Sequence, residues 1–227
     1  MKRYGYPDAV EYLRLARATT AYICQQSELR SQNNEFCDAI DKLSGRLLNP
    51  NAAGLNFSAV METLVDDKIH HVRVGGIVKF KDGILAFQSY WIELFGAIDT
   101  CDESLVLYRV HFDVAVPDND KNNERHPLYH IQLGGKAANS EYINTEMKHW
   151  SSPRIPYVPL SLAMFLEIVF REFGTGYIED RMRKDEQWTR IVKENEDVMI
   201  AGLLKVFENN KQMTISSVYY EGLRKEK

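Results

Sequence analysis

Apolar residues recur near the start of the chain at helical spacing. Val10, Leu13, Ala16, Arg17 and Ile23 roughly follow it as far as Leu29. Pro7 suits the first position of this helix, and Asp8 and Glu11 place negative charge in its first turn, where the helix dipole favours it. Phe36, Ile40, Leu43 and Leu47 predict a second helix, ended by Asn49-Pro50-Asn51-Ala52-Ala53-Gly54. A third, short helix is predicted over Ser58 to Asp66. The period then drops to two. Between Ile69 and Phe80, the set Val72, Val74, Val78 and Phe80 alternates with His71, Arg73, Ile77 and Lys79, which predicts a half-buried strand. Lys81-Asp82-Gly83 predicts a hairpin turn. Ile84 to Phe95 is apolar in both phases and reads as a more central strand.

Leu105 to Val116, ended by Pro117, reads as the third strand. Pro127 to Leu133, stopped by Gly134-Gly135, reads as the fourth, after a polar loop from Asp118 to Arg125. Short connections allow an antiparallel meander. Ser151 to Pro159 is extended, because its three prolines exclude a helix. Leu160 to Phe173 is an apolar helix ended by Gly174, and Tyr177 to Glu208 is charged and helical with a break near Asn195. The expectation is one α+β domain over residues 1–227, with helices packed on one face of the sheet. Residues 1–67 form a helical part, 68–150 a sheet core of four or five mainly antiparallel strands, and 151–227 a second helical part.

Hydrophobic residues make up 44% of the 227 and charged residues 26%, which is globular composition and excludes a disordered chain. A net charge of -4 argues against nucleic-acid binding by bulk charge and leaves a local basic patch as the route. Cys24, Cys37 and Cys101 lack CxxC spacing, which points to a reducing cytoplasm. The longest apolar run, Leu160 to Phe170, falls short of the ~20 residues that span a bilayer, and the start of the chain lacks the apolar core of a secretory signal. A cytoplasmic protein without membrane association is therefore expected. No cofactor is expected, since GxGxxG, P-loop, GxSxG and HExxH patterns are missing.

The chemistry collects on one sheet face. If Val106, Tyr108, Val110, Phe112 and Val114 pack on the core, Arg109, His111 and Asp113 point the other way. By the same alternation His130 and Gln132 join them from the fourth strand, and His71 and Arg73 from the first. Three chemistries could use this face. Two histidines can serve as general base and acid in metal-free phosphodiester cleavage, with Arg109 or Arg73 offsetting transition-state charge and Asp113 orienting a ring. His111, Asp113 and His130, or His126 with His130, could ligate a metal. Arginines and a Tyr or Trp ring could also hold a phosphate, nucleotide or nucleic-acid strand without catalysis. The ordinary alternative is a solvated polar face with cross-strand Arg–Asp pairs, for which histidine is an unusual choice.

Arg109-Val-His-Phe-Asp113 is followed by His126-Pro-Leu-Tyr-His130-Ile-Gln-Leu-Gly134, then by Pro153-Arg154-Ile155-Pro156 and the helix from Leu160. In order and spacing, this stretch from about Val72 to Phe173 resembles a bacterial family defined as a domain of unknown function. The Arg…Asp…His-Pro-x-x-His pattern is also similar to the TumE-type toxin family. That resemblance implies a ribonuclease centred on Arg109, Asp113, His126 and His130, in a toxin–antitoxin or antiviral-defence setting. The implied partners are RNA or DNA and a protein of such a complex. The leading expectation is metal-independent RNA cleavage, with His130 and His111 as the acid–base pair, Arg109 as phosphate clamp and Asp113 as orienting group. His126 sits at the strand entry, and Arg73, His71 and Gln132 contact substrate. The alternatives are a non-catalytic interaction subunit and a metal-dependent hydrolase.

Overall fold

Asp82 and Gly83 both take positive φ, 53° and 75°, and Lys81 faces Ile84 across them. This is the two-residue type I′ turn whose twist suits a hairpin, as the sequence predicts at this point. A computed structural model describes residues 8–49, 51–65, 68–97, 106–114, 129–133 and 154–209. Among them, six strands form one antiparallel sheet in chain order. They are β1 (Gly54–Val65), β2 (Lys68–Lys81), β3 (Ile84–Ala97), β4 (Val106–Val114), β5 (Tyr129–Leu133) and β6 (Arg154–Pro156). Helices α1 (Ala9–Cys24), α2 (Ser27–Gln32) and α3 (Asn34–Leu47) precede the sheet. Helices α4 (Leu162–Phe173), α5 (Tyr177–Asp180) and α6 (Glu186–Asn209) follow it. The fold is α+β, with the expected meander.

The short helix expected over Ser58 to Asp66 is instead β1. Leu55, Phe57, Ala59, Met61 and Thr63 are buried while Asn56, Ser58, Glu62 and Leu64 are exposed, an alternation of two. Ala59, Met61 and Glu62 favour helix locally, but pairing with β2 from Gly54↔Lys79 to Val65↔Lys68 overrides that preference. The helical N-terminal part therefore stops at Leu47, short of residue 67, and β1 and β6 raise the strand number to six.

The N-terminal helix also differs from its expected form. Asp8 caps it, accepting from the Glu11 N–H at 3.0 Å, so the helix opens at Ala9, and Pro7 lies outside the described residues. It ends at Cys24, and Leu29 belongs to α2. Its buried stripe is Tyr12, Leu13, Leu15, Ala16, Tyr22 and Ile23, while Val10 is 79% exposed. α6 runs unbroken through Asn195, whose Nδ2 donates to the Ile191 carbonyl one turn back at 2.8 Å. The interruption comes earlier, where Asp185 caps α6 by accepting from Gln187 and Trp188 N–H groups. Residues 211–227 lie outside the described set.

Packing sets which way the sheet faces. Phe165 of α4 stacks on Tyr90 of β3 at 4.5 Å and meets Phe57 of β1 and Phe112 of β4 edge-on. Trp188 of α6 packs on Tyr22 of α1 and Phe170 of α4, and its Nε1 donates to Glu167 at 2.7 Å. Complete burial of side chains of this size stabilises the fold by about 1.5–3 kcal/mol each. Gly75 and Gly76 make room for two rings on opposite faces of β2. A Cβ on Gly75 would lie 2.3 Å from Trp91 Cζ2, and one on Gly76 2.3 Å from Tyr90 Cδ1. Tyr90 is fully buried and its hydroxyl bonds that of Tyr12, so it has nowhere to retreat. Gly76→Ala is expected to destabilise the fold by about 1–3 kcal/mol through overpacking. Urea unfolding should show a lower midpoint at an unchanged slope.

Candidate functional site

With helices covering the Tyr90 side, the opposite phase of each strand makes a second face. Strand register arranges it in rows. Val60, Arg73, Glu93 and Arg109 form one row across β1 to β4. Ser58, Gly75, Trp91, His111 and Gln132 form the next. Asn56, Ile77, Ser89, Asp113 and His130 form the third. The expected alternation holds in β4, where Val110, Phe112 and Val114 are buried on the helix side, but not in β5, where Tyr129 and His130 are both buried and Leu133 is 37% exposed.

Glu93 organises the first row. It is 7% exposed, and its Oε1 lies 3.1 Å from Arg109 Nε while its Oε2 lies 3.6 Å from Arg73 Nη1. Arg109 is nearly buried, and its Nη1 has no hydrogen-bond partner among the described residues. Arg73 is about half exposed and lies 4.7 Å from the Phe95 ring centre, a cation–π contact. Two cations against one carboxylate leave this row with an excess positive charge.

The second and third rows hold the histidines. Asp113 faces His130 directly across β4 and β5, and His111 faces Gln132. His111 and His130 are diagonal neighbours, a placement that separates Cα atoms by roughly 7–8 Å. Burial, with the Arg109 charge adding to it, holds the His111 pKa down to about 4. His111 therefore enters any chemistry near neutral pH as the uncharged imidazole, and cannot be the proton donor there. Asp113 and His130 also line, with Phe112, Tyr129, Tyr157 and Pro159, a cavity of about 10 Å³, room for about one water. The Trp91 ring lies against Gly75 in the middle of the face.

Not every expected residue joins this group. Arg73, Arg109, His111, Asp113, His130 and Gln132 share the face. His71 is half-buried opposite Glu62 at the far end of β2, three strands from His130, or roughly 14 Å in strand spacing alone. His126 lies outside the described residues. His70 is structural: its Nδ1 is 3.0 Å from the Phe95 carbonyl. Glu93 and Trp91 are the residues that sequence reasoning missed. Glu93 is the one acid between Ile84 and Phe95, and a solitary carboxylate in such a run implies a cationic neighbour.

Among the described residues, no three His, Cys, Asp or Glu side chains group as a metal site. Cys24 and Cys37 are free, and burial pushes their thiols up to about 12 and about 11, so neither is an activated nucleophile. No helix among the described residues is long and apolar enough to cross a membrane. The chain matches no protein-family model, and no curated protein or solved structure matches it.

Two outcomes test this arrangement. Glu93→Ala leaves Arg109 buried without its counter-ion, and a loss of about 3–5 kcal/mol is expected in chemical denaturation. His111 has a folded pKa of about 4 against 6.5 for the free side chain, so unfolding takes up a proton between those values. Stability is then fully present above pH 6.5 and falls as pH drops toward 4, by up to about 3 kcal/mol at 1.4 per unit. His111→Gln should flatten that slope in denaturation curves taken across the window.

Proposed function

We propose that the face opposite the helices binds a strand of RNA and cleaves it without a metal ion. The reading rests on one observation. The register of β3, β4 and β5 sets Trp91, Arg109, His111 and the Asp113–His130 pair side by side in adjacent rows. An aromatic ring flanked by cations suits a stacked base and its phosphate. His111, uncharged at neutral pH, takes the proton of a ribose 2′-hydroxyl. The 2′ oxygen attacks phosphorus, and the bond to the 5′ oxygen breaks. His130 protonates that leaving oxygen, with Asp113 fixing its ring orientation. Arg109, held by Glu93, offsets the charge that builds on the phosphate, and Arg73, on β2, contacts the RNA further along its backbone. The 2′-hydroxyl requirement makes RNA, not DNA, the substrate. We read such an activity as that of a cytoplasmic toxin or defence protein.

A second reading has its own support. Ile200 and Leu204, one turn apart on α6, are 47% and 53% exposed, as a helix that contacts a partner protein would present them. The deciding experiment incubates purified protein with total RNA in excess EDTA. Cleavage by the parent and a loss of about 100-fold or more in His130→Ala are expected. Trp91→Ala should weaken single-stranded RNA binding by about tenfold, measured by fluorescence anisotropy. Intact RNA with the parent protein overturns the cleavage reading and leaves the interaction subunit.

A further inference from the structure

β3 carries three aromatic rings on the face opposite the helices. Phe87, Trp91 and Phe95 recur at every fourth residue, a spacing that returns a strand to the same side about 13 Å further on. Neighbouring residues place each ring. Phe87 pairs with exposed Lys79, and Trp91 lies over Gly75. The pairing of β3 with β4 shifts after Leu94, yet Phe95 keeps to this face, since the Arg73 guanidinium lies 4.7 Å from its ring centre. Phe87 is 36% exposed, and Trp91 and Phe95 are half-buried. Between the rings stand Ser89, which is small, and Glu93, which is buried against Arg109. The acids nearest this line are engaged: Glu93 holds Arg73 and Arg109, and Asp113 faces His130. The file of rings is about 27 Å long, with Lys79 beside one end and Arg73 beside the other. His111 faces Trp91 across β3 and β4, so the reacting histidine stands beside the middle ring.

Single exposed aromatic residues are ordinary on a protein surface. Three in file, with a cation at each end, match the platform on which bases of a single strand stack while its phosphates meet positive charge. Building on the RNA-cleavage reading above, we propose that the substrate lies along β3, with bases on Phe87, Trp91 and Phe95, and is cut inside the strand beside Trp91. The track holds about four to six nucleotides of extended strand, near the lower end of the range for such faces. Nucleotides are therefore needed on both sides of the cut, which makes the enzyme an endoribonuclease. Every base has a face to stack, so the track reads little sequence. A duplex keeps its bases stacked on one another, so unpaired stretches of RNA are the substrate.

Oligomers of 2′-O-methyl RNA lack the attacking hydroxyl and report binding without cleavage. Fluorescence anisotropy of the full chain with unpaired oligomers of about two to twelve nucleotides tests the track. Affinity should climb to about six nucleotides and then level. Phe87→Ala and Phe95→Ala should each weaken the longest oligomer about tenfold. Lys79→Ala should reduce the slope of log affinity against log salt by about 0.7. Should Phe95→Ala fail to fold for want of its Arg73 contact, the exposed Phe87 and Lys79 decide. Binding that is already level at two nucleotides, or that ignores Phe87 and Lys79, overturns the track and leaves the cleavage reading standing. Binding with the expected dependences, beside intact RNA in EDTA, overturns the cleavage reading and leaves the track. No binding at any length overturns both.

Discussion

The stack of Phe165 on Tyr90 sets the phase of the whole sheet. Tyr90 lies in the middle of β3, and the same phenyl ring touches Phe57 and Phe112. A strand has a side-chain period of two. Once Tyr90 faces α4, every residue that register aligns with it faces the helices, and every intervening one faces away. A slip by one residue would drive Arg73, Glu93 and Arg109 into the core and turn Val72, Ile92 and Val110 out. The polar face is thus a by-product of core packing.

That face is not simply solvated. Glu93 and Arg109 are largely withdrawn from water, so their attraction is screened less than that of a surface pair. Glu93 ties β2 to β4 through one carboxylate. Arg109 is held in place by folding itself, so the entropy of ordering it has already been lost. The same withdrawal keeps His111 uncharged.

Alternation made β2 and β4 legible, because one phase of each is nearly all valine and phenylalanine. The glycine and aspartate at the hairpin and the proline-rich extended segment were equally plain. β1 was not, since Ala59, Met61 and Glu62 carry a local helical preference that only β2 overrules. The grouping of Arg109, His111, Asp113 and His130 on one face followed from period two alone. Its distance from His71 did not, because that depends on strand order and row. Glu93 stayed hidden in a run that is apolar on both phases, and the state of His111 depends on burial that no spacing expresses. Asn195 suggested a break, yet its amide bonds back to Ile191 and keeps the helix whole.

Gly75 and Gly76 leave the two faces of β2 with different freedom to diverge. Each glycine exists for the ring that crosses it. Trp91 sits on the half-open side, so a smaller residue at 91 would remove the ring clash at Gly75, but the added Cβ would still lie 2.9 Å from the Phe57 carbonyl oxygen, and β1 would have to shift to take it. The two positions can drift together only at the cost of that shift. Tyr90 has no such latitude, held between Gly76, Phe165 and the Tyr12 hydroxyl. Of the two adjacent glycines, Gly75 can therefore change only together with Trp91 and β1, while Gly76 stays fixed.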